Sequence, residues 1–546
     1  MNSNAVAFTL RANMGQTLQP DLAKLEKSPQ DLARWQKAQQ QLLSGRAALA
    51  LPAYQDLVKR FPTVANLWFE LGTAAAADLL FDLAREAFDR AEQIASRDAS
   101  VLIALGRQYH RLRQPARARA CFERAAAVAP ASNHARLSWA AWLERERRLD
   151  DAWAQTEACL ARNPRDVAVL YYRAFLLHRK NRPQEAEAQL RELIQSGVGD
   201  PNVRISCFHL LAVVLDELGK YSEAMQWLLK VKALTRQQNK VEALEQTYDK
   251  AARRRRSLLA QLTPEMIRRW RATASSPVTK KLALLGGHPR SGTTLLEQIL
   301  AAHPSVAAFD ESDAFVVEIG DKLFAADPFP PLTAAALDAL SPTRQSELKG
   351  RYLKSLFREL DGESAAEVLI DKNPTPTASL PLWLRMFPDS KLIIALRDPR
   401  DVIISCFFQN LALTPLNVNF LSLERSVRHY ADLMDVWLRM RDLGGFDWIE
   451  TRYEDIVAGG ETEGRRVTEF LGLEWHPAQA RCHESASARF VFSPTYSEVA
   501  KPVHNRAVGR WKHYADALAP FQQTLGAYLR AFGYDVTPQA VRQDSL

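Results

Sequence analysis

Gly287, Arg290, Ser291, Gly292, Thr293 and Thr294 stand together in LALLGGHPRSGTTLLEQILAAHP, residues 282–304. An apolar run leads into a loop of small residues, and an amphipathic helix follows. Backbone N–H groups in such a loop converge on one spot, and the helix adds its positive end. That is a cradle for a 5′-phosphate-like group. The spacing Gly287-x4-Gly292 fits the nucleoside-triphosphate loop G-x-x-x-x-G-K-[ST], but Thr293 stands where the lysine belongs. A β,γ-phosphate with magnesium therefore has no lysine to meet, and a kinase or NTPase is the weaker alternative. The cation here is Arg290, inside the loop.

These residues need elements to place them. EVLIDK (367–372) and KLIIALRD (391–398) are apolar, β-branched runs that read as buried strands. FDWIETRY (446–453) reads as a further strand, and 344–360, 400–411 and 424–443 as helices. Strands alternating with helices predict a parallel sheet in an α/β domain over 279–540. Ligands on such sheets sit at the carboxyl ends of strands. The loop, Lys372 and Arg397 all fall at those ends.

GGHPRSGTTLLEQILAAHP resembles the 5′-phosphosulfate loop of sulfotransferases that use 3′-phosphoadenosine 5′-phosphosulfate. LRDPRDVIISCFFQN (396–410) resembles their 3′-phosphate-binding segment, and RYEDIV (452–457) and GRWKHY (509–514) are also similar to that family. The chain looks like the tyrosylprotein sulfotransferases and the bacterial enzymes that join such a domain to tetratricopeptide repeats.

The resemblance implies a P-loop-like sulfotransferase domain and a sulfuryl transfer from that donor to a hydroxyl acceptor. The acceptor would be a peptide tyrosine first, then a saccharide or small molecule. Arg290, Ser291, Gly292, Thr293 and Thr294 would cradle the 5′-phosphate and sulfate. Arg397 and Ser405 would clamp the 3′-phosphate, a guanidinium fork with a hydroxyl beside it. The family's further basic residue, one turn after the serine, is Gln409 here. Tyr453 would border the adenine, and Lys501 in VAKPV would reach a phosphate. Glu311, beside Asp310, would take the acceptor's proton. Lys372 and Arg290 would stabilise charge on the leaving phosphate. Fixed cations would replace magnesium, so no metal is expected. His288 is an alternative base, though packing against its neighbours is the simpler role. His303 reads as a helix end and Trp511 as core.

The first half carries a repeat. Ala50, Ala84, Ala118, Ala152 and Ala186 fall 34 residues apart, with Tyr54, Phe88, Phe122, Thr156 and Leu190 four later. Pro130 and Pro164, and Gly72 and Gly106, keep the same period. This is the pattern of tetratricopeptide repeats, helix hairpins that bury their apolar faces by stacking. A sixth unit follows SGVGDP with Ala224 and Leu228 in the same roles. The reading is an all-α superhelix over 35–235. Its concave face would hold a peptide or protein partner, or the array would serve dimerisation or a lid. Residues 236–278 predict one long helical linker. Its run Arg253–Arg256, with Arg268, Arg269 and Arg271, reads as a solvated face, so no nucleic-acid partner is expected.

At 546 residues, 47% hydrophobic and 25% charged, the chain suits two or more globular domains and excludes bulk disorder. The net charge of +8 suits an anionic ligand and nucleic acid alike, so it decides little. Five scattered cysteines without a CxxC pair indicate neither a disulfide frame nor a zinc site. With no signal-like amino terminus and no apolar run of membrane length, a cytoplasmic protein is expected. A non-catalytic scaffold is the remaining alternative, and it gives no reason for Arg290, Glu311, Lys372, Arg397 and Ser405 to occur together.

Overall fold

The computed structural model describes residues 25, 27–43, 46–78, 80–273, 280–323, 333–359, 366–483 and 504–536. The chain forms two compact units, divided at Val214–Leu215.

The first unit is built from antiparallel helix hairpins. Ala65–Ala77 pairs with Phe81–Ile94, Ala99–Arg111 with Pro115–Val128, and Asn133–Arg145 with Leu149–Leu160. The period of 34 governs more than the alanines. Asp98, Ser132, Asp166 and Asp200 cap the first helix of four successive hairpins through their side chains. Arg113, Arg147 and Asn181 each turn the chain between the two helices with φ of 58°, 63° and 59°. A left-handed turn at a non-glycine residue is uncommon, and three at one spacing mark a repeated backbone.

Side-chain volume follows the same register. A Cβ on Gly72 would lie 2.6 Å from the Phe88 ring, and one on Gly106 2.9 Å from Phe122. In the next two hairpins the pairs are Ala140 with Thr156 and Ala174 with Leu190, all buried. Where the facing side chain shrinks, the glycine becomes alanine, so the helices keep their close approach. Asn133 donates to Asp166 at 2.8 Å, and the buried pair Arg179–Glu144 (2.5 Å) ties one hairpin to the next.

The second unit begins inside the last hairpin. Its second helix, α1 (Tyr221–Gln238), belongs here, with Ala224 and Leu228 fully buried. The single long linker helix expected over 236–278 is not what forms. Val241–Gln261 and Pro264–Ala272 are separate helices. Pro264 cannot continue a helix, and Thr263 instead caps the next one by accepting from Met266 N. The arginines there are stapled to acids: Arg256 to Asp432, Arg269 to Asp338 and Arg271 to Asp447.

Five parallel strands follow, in the spatial order β2-β3-β1-β4-β5: β1 (Lys281–Gly287), β2 (Val306–Asp310), β3 (Val368–Lys372), β4 (Lys391–Leu396) and β5 (Trp448–Arg452). Three strand ends are in register: Asp310 pairs with Lys372, Leu285 with Lys372 and Gly287 with Ala395. Four helices matter for the site: α2 (Thr293–Ala301) after β1, α3 (Pro399–Phe407) after β4, α4 (Leu423–Leu443), and α5 (Tyr453–Phe470) after β5. Leu285, Leu296, Leu300, Ile370 and Ile393 form the core beneath them. Among the described residues no helix is long and apolar enough to cross a membrane.

Candidate active site

Every strand ends in a chemistry-bearing residue at the same edge of the sheet. β1 ends at the cradle loop, β2 at Asp310–Glu311, β3 at Lys372, β4 at Arg397 and β5 at Tyr453.

The cradle needs its glycines for measurable reasons. Gly287 has φ +127°, and a Cβ there would lie 2.3 Å from the backbone oxygen of Ala395. Gly292 has φ +91°, and its Cβ would fall 2.5 Å from Cδ2 of Tyr453. Arg290 holds φ +74° without being glycine, a strained state common at functional sites. Thr377 braces the loop: its Oγ1 accepts from Gly287 N (2.9 Å) and donates to Gly287 O (3.1 Å). Gly292 precedes α2 and offers no side-chain cap, so the first-turn N–H groups, with Ser291, Thr293 and Thr294 buried around them, suit an anion.

Arg290 Nε donates to Ser405 Oγ at 3.1 Å, and Arg397 Nη1 donates to Arg290 O at 3.2 Å. Arg397 also donates to Ala507 O and lies 4.8 Å from the Tyr453 ring centre. Among the described residues its Nε is buried with no hydrogen-bond partner, which leaves a donor for a ligand. Burial lowers the pKa of Arg290, and the Arg397 charge adds to that. Asp401, one turn into α3, accepts from Gly509 N and Trp511 N, both at 2.7 Å, which fixes the 509–511 segment beside Arg397. Burial first, and then Asp398, push its carboxyl up to about 6.

Lys372 is fully buried and ion-paired to Asp310 (2.5 Å) and Glu311 (3.4 Å), with Thr294 Oγ1 at 3.4 Å. Burial pulls its pKa down, but Asp310, Glu311 and Glu297 outweigh that and leave it above the usual lysine value. Glu311 is half-exposed, has φ +54°, and donates its own N–H to Lys372 O at 2.7 Å. The edge therefore holds two linked clusters: a cation pair with a hydroxyl, and a lysine between two carboxylates.

Three sequence readings find simple structural roles. His288 is buried, with Nδ1 donating to Pro289 O (2.7 Å) and Nε2 accepting from His429 Nδ1 (2.9 Å). Burial holds its pKa at about 4, and His429 also sits well below the ordinary value. Trp511 is core, with the Arg400 guanidinium 3.7 Å over its ring. His303 Nε2 donates to Glu474 O at 3.0 Å. Lys501 lies outside the described residues. Thr377, Asp401 and His429 were not singled out by sequence. Asp401 alone had a signal, the acid beside each arginine in RDPRD.

Comparison with known proteins follows this geometry. The pattern of the "Sulfotransferase family" matches residues 283–477, which span β1 to the end of α5. "Tetratricopeptide repeat" patterns match 36–99, 143–201 and 204–238. The chain joins a sulfotransferase-family domain to tetratricopeptide repeats. A putative protein-tyrosine sulfotransferase of Caenorhabditis briggsae is 26% identical over 45% of this chain and 89% of its own length. An uncharacterized Aquifex aeolicus protein is also 26% identical, over 62% of this chain, which spans 43% of that protein. The mouse heparan sulfate glucosamine 3-O-sulfotransferase 6 is 26% identical over 49% of this chain and 75% of its own. Among solved structures, a tetratricopeptide repeat protein from Parabacteroides merdae is similar over 39% of this chain and 82% of its own, with 15% identity and a TM-score of 0.32.

Proposed function

We propose that this protein transfers a sulfuryl group from 3′-phosphoadenosine 5′-phosphosulfate to a hydroxyl acceptor, with tyrosine in a peptide as the leading candidate. The observation that carries the reading is the convergence of Arg290, Ser405 and Arg397 with the Asp310–Lys372–Glu311 cluster on one sheet edge. The unpaired Nε of Arg397 and the uncapped first turn of α2 fit a nucleotide phosphorylated on both sides of its ribose. When bound, that nucleotide supplies the activated S–O bond.

Ser291, Gly292, Thr293 and Thr294 hold the 5′ end with backbone and hydroxyl donors. Arg397 and Ser405 hold the 3′-phosphate, and Tyr453 walls the adenine side. Glu311 accepts the acceptor's O–H proton as its oxygen bonds to sulfur. The bond from sulfur to the bridging oxygen breaks, and Lys372 and Arg290 neutralise the charge left on the phosphate. Asp310 keeps Lys372 charged and aimed. The tyrosine assignment is supported by relatives named as protein-tyrosine sulfotransferases. The 3-O-sulfotransferase relative supports a saccharide acceptor as the second reading. The repeat array would present the acceptor or a protein partner.

The test is incubation with ³⁵S-labelled donor and a panel of tyrosine peptides, saccharides and phenols, followed by mass spectrometry. Sulfate on tyrosine supports the leading reading, and sulfate on saccharide alone supports the second. No labelled product, with no adenosine 3′,5′-bisphosphate binding, refutes both.

A further inference from the structure

The direction of the free Arg397 Nε is set by what the other guanidinium nitrogens hold. Nη1 donates to Arg290 O at 3.2 Å and Nη2 to Ala507 O. Arg290 O belongs to the cradle loop, which the sheet and Thr377 fix. Ala507 O belongs to residues 504–509, which form neither strand nor α-helix. There Val508 N donates to Asn505 O at 2.8 Å, and the short helix Arg510–Tyr514 follows. A carbonyl on such a stretch orients a guanidinium only if the stretch is itself held.

Its far end is held by Asp216, which accepts from Arg510 Nη2 at 2.9 Å and from Tyr514 Oη. Its near end is held by Asp401, which is 1% exposed and four residues after Arg397. Asp401 Oδ1 accepts from Trp511 N and Oδ2 from Gly509 N, both at 2.7 Å. Hydrogen bonds to an ionised carboxylate are short and strong. The same Oδ2 lies 3.8 Å from Arg397 Nη2. One carboxylate thus meets both the segment and the guanidinium that uses it. The helix that carries it is fixed in turn: Gln409 Nε2 donates to Ser405 O at 3.1 Å, and Lys232 of α1 donates to Gln409 O at 2.8 Å. Charge adds to shape, because Arg290 and Arg397 stand together as like charges. Asp401 offsets them from the Nη2 side and leaves Nε unpaired.

We infer that Asp401 is a positioning residue of the donor site, fixing Ala507 O and the Arg397 guanidinium as one unit so that Nε is presented to the bound nucleotide. This rests on the donor proposed above. An asparagine at 401 has one oxygen for two N–H donors and no charge for Arg397, so it cannot reproduce the arrangement.

A double-mutant cycle tests whether Asp401 acts through Arg397 or only through stability. Dissociation constants for adenosine 3′,5′-bisphosphate are measured by calorimetry on wild type, Asp401→Asn, Arg397→Ala and the double variant, each below its melting midpoint. Asp401→Ser, smaller and also neutral, replaces Asp401→Asn if the latter does not melt cooperatively. Asp401→Asn should weaken the bisphosphate about tenfold in wild type but less than about twofold once Arg397 is alanine. With the acceptor that the labelling panel identifies, donor KM should rise while kcat stays within about twofold. Losses that multiply in the double variant, or wild-type affinity in Asp401→Asn, would overturn the inference and leave Asp401 a structural tie. Arg397→Ala without effect on the bisphosphate would sink the donor assignment itself, and this inference with it.

Discussion

Replacing Glu311 by Gln keeps the size of the side chain and removes one proton acceptor. The structural cost is small. The Glu311 side chain is 42% exposed and its tie to Lys372 is 3.4 Å, so the lost ion pair is worth about 1 kcal/mol at most. Lys372 keeps Asp310, its nearer and better buried carboxylate. The hydrogen bonds among Arg290, Ser405 and Arg397 are made with one another. The chemical cost is larger: losing a positioned base slows turnover by about 10²–10⁴, or about 3–5 kcal/mol on the barrier. The assay is the initial rate of labelled sulfate transfer at saturating donor, beside the melting midpoint and the bisphosphate affinity. Glu311→Gln should lose rate and keep the other two. Asp310→Asn should lower the melting midpoint as well as the rate, because it leaves a fully buried ammonium with only the more distant Glu311 carboxylate and costs about 3 kcal/mol of stability. Normal turnover in Glu311→Gln, or a rate loss no greater than its loss of bisphosphate affinity, would refute the assignment of the base.

Arg397→Ala should weaken adenosine 3′,5′-bisphosphate far more than AMP in equilibrium binding; equal losses would remove Arg397 from the clamp. The His288–His429 pair should make the fold sensitive to acid. Its folded pKa values lie below the unfolded value of 6.5, so its contribution is complete above pH 6.5 and is lost as pH falls toward 4, by about 2 kcal/mol at pH 5 for His288 alone. Asp401, raised to about 6, titrates in the opposite sense, so the measurement is the difference in melting midpoint between wild type and His288→Gln from pH 7.5 to 5. That difference should shift in favour of the variant as pH falls. In the repeats, Gly106→Ala should cost about 1–3 kcal/mol by crowding Phe122, and Phe122→Leu should recover most of it in chemical denaturation.

The loop was legible in sequence because close packing restricts its residue types so tightly: Gly287 and Gly292 are required by a carbonyl at 2.3 Å and a ring at 2.5 Å. Lys372 and Arg397 were legible because buried strands announce their own ends. β2 was not read as a strand. VAAFD is five residues with two alanines, and its β character comes from pairing with β3 rather than from local preference. The linker segment contains a stop signal at Thr263–Pro264 that the structure uses. The caps at Asp98, Ser132, Asp166 and Asp200 keep the repeat's own period and needed only to be counted. Lys232 left no trace in sequence, because its partner is 177 residues away and a backbone oxygen carries no residue code.

The match between Gly72 and Phe88, or Gly106 and Phe122, closes within a single hairpin. Each hairpin therefore carries its own steric solution and could be duplicated or exchanged as a block wherever ties between hairpins, such as Asn133–Asp166 and Arg179–Glu144, are kept. The hairpin that contains Lys232 is exempt from that freedom, because its second helix is bonded to the α/β domain through Gln409 O and any transplant there must carry the lysine along.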